Sequence, residues 1–75
     1  MSLTISILDM RNLNLKEEML EMLNKKLVQL NKDDSFWIID KIEPLDCYDQ
    51  LMKTDHLFQT FIISDNEYRV FVGKN

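Results

Sequence analysis

Apolar and polar positions alternate with a period of two near the N-terminus, follow a helical period over the following stretch, and put large apolar residues on both sides of the strands towards the C-terminus. Leu57 to Ile63 and Tyr68 to Val72, rich in β-branched and aromatic residues, flank Ser64-Asp65-Asn66-Glu67, which predicts a β-hairpin closed by a two-residue loop at 65–66. A regular ladder leading from that loop sets Ile63 opposite Tyr68, Phe61 opposite Val70 and Gln59 opposite Val72 on one side. Ile62, Thr60 and Phe58 then oppose Arg69, Phe71 and Gly73 on the other. At the other end, Ser2 to Leu8 places Leu3, Ile5 and Ile7 on one side of a strand, which predicts that side as the buried one.

Between these ends, Leu15, Met19, Met22, Leu23, Leu27 and Leu30 follow one helical face and predict a helix over 15–30. Asn14 with Glu17 supplies a cap arrangement for its start, Glu17 and Glu18 suit the positive first turn, and Lys25 and Lys26 suit the negative end. Lys26 is expected to lay its stem along the core edge, and Val28 to point away from it. Ser35 to Ile42 is apolar on both sides, as a central parallel strand is. The first strand, helix and second strand make a βαβ unit whose right-handed crossover sets the helix on one face of the sheet. Pro44 stops the second strand and suits a helix start, and Leu45, Tyr48, Leu51 and Met52 predict a short helix over 44–53. The expected fold is a single domain over 1–75, α/β with mixed α+β character: a four-stranded mixed sheet in the order β-α-β-α-β-β, with one long and one short helix.

Composition narrows the class. A chain of 75 residues buries a thin core, yet 45% apolar residues in clear periodicity are enough to fold. One Cys and one His provide neither an internal disulfide nor a zinc site, which fits a reducing cytoplasm. The longest apolar run, Phe36-Trp37-Ile38-Ile39, is far short of a membrane span. Residues 33–55 hold seven acids against Lys41 and Lys53, a local charge of −5 within a total of −4. Such a chain is unsuited to a phosphate backbone and better matched to a partner protein with a basic surface.

The order of elements is carried by Ile38-Ile39-Asp40 ending the second strand, Pro44-Leu45 opening the next helix, Thr54 to Leu57 entering the hairpin, and Val72-Gly73 at its end. With these it resembles thioredoxin-like proteins, closest to the redox-inactive KaiB type. The chain departs from that family in lacking Cys-x-x-Cys after the first strand, in carrying Asp55-His56 where the family places a cis-proline, and in lacking the final helix. The resemblance therefore implies no thiol redox activity. Without that helix, a sheet face carrying Phe58, Ile62 and Phe71 is left open.

Cys47 and His56, with Asp49 or Asp55, have the residue types of a nucleophile, base and orienting acid, but no glycine-rich oxyanion loop accompanies them. A small buried thiol and a strand-edge histidine are the simpler reading, so no catalytic residue is assigned. Asp40, Glu43, Asp46 and Asp49 recur every three residues, which makes a solvated or protein-docking acidic surface; their spacing matches no calcium loop, and neither metal nor cofactor is expected. Trp37, Tyr48, Phe58, Tyr68 and Phe71 lack the lysines and arginines that accompany base stacking. The sequence thus points to a small non-enzymatic protein-binding module, in keeping with a phage or mobile-element regulator or inhibitor. Its expected partner face is Phe58, Ile62, Arg69 and Phe71, rimmed by Asp40, Glu43, Asp46 and Asp49. A homodimer closed through the same face is the second reading, and a small enzyme, metal-dependent or otherwise, the third.

Overall fold

In the computed structural model, which describes residues 6–74, the chain runs β1 (Ser6–Asp9), α1 (Lys16–Gln29), β2 (Ser35–Asp40), α2 (Leu45–Lys53), β3 (His56–Ser64) and β4 (Glu67–Lys74). The expected element order and fold class hold: the four strands form one mixed sheet in the spatial order β1-β2-β4-β3. β1 pairs parallel with β2, β2 antiparallel with β4, and β4 antiparallel with β3. β2 is therefore hydrogen-bonded on both sides, while β1 and β3 are the edges. The part of the first strand expected at residues 2–5 lies outside the described residues.

Both helices cover the same face. Phe36 and Ile38 of β2, Leu8 of β1 and Val70 and Val72 of β4 point the same way and are buried in one cluster with Leu23, Leu27, Cys47 and Leu51. Gln50 Nε2 donates to Asn24 Oδ1 at 2.7 Å, joining α2 to α1. α1 begins one residue later than its pattern suggests: Leu15 takes the cap position without a side-chain hydrogen bond, so Asn14 does not cap it. Leu15 stays 60% exposed, while Leu23, Leu27 and Leu30 form the buried part of the stripe. Lys26 is half-buried and Val28 exposed, as the pattern requires. On α2 the buried residues are Cys47 and Leu51, whereas Leu45 and Met52 face solvent. With only one glycine in the chain, α2 turns into β3 through Asp55 at a left-handed φ of 58°, a conformation that Asp tolerates better than most residues.

Two expectations about sidedness are corrected. Leu8, not Ile7, faces the helices; Ile7 pairs with Trp37 on the other side of the sheet and is 57% exposed. In the hairpin the two-residue loop forms, with Ser64 opposite Glu67, but the ladder then shifts by one residue between Ser64 and Ile62. Ile62 opposes Tyr68, Phe61 opposes Arg69, Thr60 opposes Val70 and Phe58 opposes Val72. The extra residue, Ile63, is a β-bulge, and by inserting one position it exchanges the two faces of β3 relative to a regular ladder. Phe58, Thr60 and Ile62 thereby join the helix side, and Phe61 joins the opposite side.

Leu23 lies fully buried at the centre of the α1 stripe, so Leu23→Ala should cost about 2–4 kcal/mol through lost transfer energy and a residual cavity. Urea titration should show a clearly lowered midpoint at unchanged slope; an unmoved midpoint would detach α1 from the sheet.

Candidate functional site

The uncovered sheet face is built from alternate residues of all four strands. β2 turns Phe36 and Ile38 under the helices and, one residue out of step, turns Trp37 and Ile39 to the other side. Register then brings Ile7 and Phe71 beside Trp37. Trp37 makes an edge contact with Phe71 at a centroid distance of 5.0 Å and a tilted contact with Phe61 at 5.7 Å. Those geometries suit the ring quadrupoles, so the three rings hold each other in place. They remain accessible all the same: Phe61 is 41% and Phe71 39% exposed.

One end of this face is polar. Arg11, just after β1, donates to both carboxylate oxygens of Asp9, at 3.0 and 2.7 Å, and stands 3.8 Å from Glu67 across the end of β2. Arg69 holds Glu67 from the other side at 2.6 to 2.7 Å. The side-chain hydrogen bond from Arg11, helped by its backbone N–H and its charge, draws the Asp9 carboxyl down to about 2. These two acids and two arginines neutralise one another, and none of the lysines occupies an open-face position in the strands.

Of the four residues expected to share a binding face, Arg69 and Phe71 lie on this one; Phe58 and Ile62 do not. Phe58 stacks on Tyr48 of α2 at 5.2 Å with rings 14° apart, and beside it the Tyr48 hydroxyl hydrogen-bonds Thr60 Oγ1. Ile62 is on the helix side near the hairpin tip, 69% exposed. The acidic residues do not rim the aromatics either, because they belong to the helix layer. Asp40 ends β2 on the covered side, 2% exposed; its Oδ1 accepts the Lys41 N–H at 2.7 Å, and its Oδ2 has no hydrogen-bond partner among the described residues. Asp46 pairs with Lys16 at 3.2 Å between the starts of the two helices, Asp49 is exposed on α2, and Glu43 precedes it. Among the described residues no group of three or more His, Cys, Asp or Glu is placed to hold a metal ion.

Cys47 and His56 form no pair. The Cys47 thiol is buried and donates to Met10 Sδ at 3.9 Å, and His56 Nδ1 is bonded to Thr54 Oγ1 at 2.7 Å. Burial, followed by the charges of Asp40 and Asp46, pushes the Cys47 thiol up to about 11.

Trp37, Phe61 and Ile7 are the face residues that sequence reasoning missed. The apolar residues on both sides of β2 were the available signal, since they require one flank to lie under helices and the other to be covered by something else or left open. Compared with models of protein families, with curated proteins and with solved structures, the chain matches none. Among the described residues no helix is long and apolar enough to cross a membrane.

Because folding raises the Cys47 thiol above its ordinary value of 9.0, its neutral form stabilises the fold fully below pH 9, and that contribution is lost as pH climbs towards 11. The loss should be missing in Cys47→Ala when urea midpoints of the two proteins are compared across that range. At about pH 8 iodoacetamide should alkylate the native thiol at least about 100-fold more slowly than the urea-unfolded one. Rapid native labelling would mean an accessible thiolate and restore the nucleophile reading.

Proposed function

We propose that the protein is a non-enzymatic protein-binding module, acting as a small regulator or inhibitor, and that it docks through the open face of its sheet. The observation that carries this reading is the cluster of Trp37, Phe61 and Phe71 on an uncovered face that also holds both arginines of the chain. Buried contact centres between proteins are enriched in aromatic residues and arginine and depleted in lysine, and their energy concentrates in a few anchors of that kind. A ring-lined face of this sort costs solubility unless something covers it.

A photoreactive side chain at Leu57, which is exposed on this face, should cross-link to a protein in cell lysate, whereas one at Val28, on the outer side of α1, should not. Phe71→Ala should reduce the Leu57 cross-link at least about tenfold, as loss of an anchor worth about 2 kcal/mol requires, while the urea midpoint changes much less. Cross-linking from Val28 alone would transfer the binding role to the helix layer.

A further inference from the structure

We infer that the partner covering the open face is a second copy of the chain, packed sheet against sheet about a two-fold axis; this rests on the docking role assigned to that face above. The deciding observation is how charge divides between the two sides of the sheet. Asp9 and Glu67 against Arg11 and Arg69 give the open face a sum of zero, so the formal −4 of the chain lies entirely outside it. Across a two-fold axis a surface meets itself, and any net charge on it is opposed by the same charge. A face whose four charges cancel in bonded pairs satisfies that condition. A basic partner would find its complementary charge on the helix layer instead, among Glu43, Asp46 and Asp49, on the far side from the rings.

Dimensions agree with a reversible dimer. Four strands about 4.8 Å apart, rising about 3.4 Å per residue, give a face about 19 Å wide that is about 27 Å long at β4 and narrows to about 14 Å at β1, which has four residues. Two such faces about 10 Å apart interdigitate their side chains as the sheets of a sandwich do, and the area falls at the small end of specific interfaces. Trp37, Phe61 and Phe71 of each copy occupy the centre, and the paired charges stay at one margin. The axis places the helices of both copies on the outside.

The chain supplies its own reporter, because its only tryptophan, Trp37, sits at the centre of the contact. Sedimentation velocity and Trp37 emission are measured on the full chain from about 1 to about 500 µM, the range over which so small an interface dissociates. The expected result is a mass rising towards that of two chains, with emission moving to shorter wavelength in step. Arg69→Glu takes the face from 0 to −2 and Glu67→Arg takes it from 0 to +2, so each variant alone should associate at least about tenfold more weakly. Their equimolar mixture should recover association, because −2 then meets +2. A chain that stays monomeric throughout overturns the inference, as does a dimer indifferent to both reversals and silent in Trp37 emission. If the chain is monomeric and Leu57 still cross-links a different protein, the docking role stands without the second copy; if the cross-link is missing too, both fail.

Discussion

Strand β2 is the part of the molecule to which every other part refers. It is hydrogen-bonded on both edges, parallel to β1 and antiparallel to β4, and it delivers Phe36 and Ile38 into full burial while presenting Trp37 and Ile39 on the reverse. Each fully buried side chain of that size contributes about 1.5–3 kcal/mol, and a chain of 75 residues has few of them to spare. Two helices can shield one sheet face. Both are committed to the Phe36 side, and the Trp37 side is left uncovered as the geometric remainder of that choice.

The elements were legible because each has a strong local cause. A four-turn apolar stripe, a proline followed by a second stripe, and β-branched runs around Asp65-Asn66 fix α1, α2 and the hairpin within a residue or two. Sidedness was much less legible. For β1, Ile7 and Leu8 are both apolar, and what separates them is which neighbour in β2 each one meets: Leu8 lies beside Ile38 under the helices, and Ile7 beside Trp37 in the open. That information belongs to the packed sheet, not to the strand. For β3 the failure was one of counting, since nothing in Phe61-Ile62-Ile63-Ser64 marks Ile63 as the residue that leaves the ladder. The start of α1 was misplaced for a smaller reason: Asn14 has the right side chain, but the first helical turn closes from Leu15, whose carbonyl accepts the Met19 N–H at 3.2 Å.

Polar chemistry follows the same division into two layers. On the covered side, Asp40 and Cys47 are sealed among apolar groups, and the thiol is held in its neutral form far above the pH at which thiols react. On the open side, the charge of the described residues forms a cross-linked strip of Asp9, Arg11, Glu67 and Arg69, whose members spend their hydrogen-bonding capacity on one another. A linear reading merged these populations, because Asp40 and Trp37 are three residues apart in sequence and yet belong to opposite surfaces.

The bulge at Ile63 bears on how such a chain can change over generations. Ser64 already faces Glu67 and Ile62 already faces Tyr68, so the in-frame loss of that single codon would close the ladder and leave the other pairs of β3 as they are. Phe61 would stay opposite Arg69 on the open side, and Phe58 would stay opposite Val72, stacked on Tyr48. The loss of one residue within 57–62 is different: it would carry part of the strand to the opposite surface, on one side of the gap if the bulge stays and on the other if Ile63 enters the ladder. Over generations, insertions and deletions should therefore be tolerated at the 65–66 turn, the loss of Ile63 should be tolerated too, and changes of length between Leu57 and Ile62 should be purged.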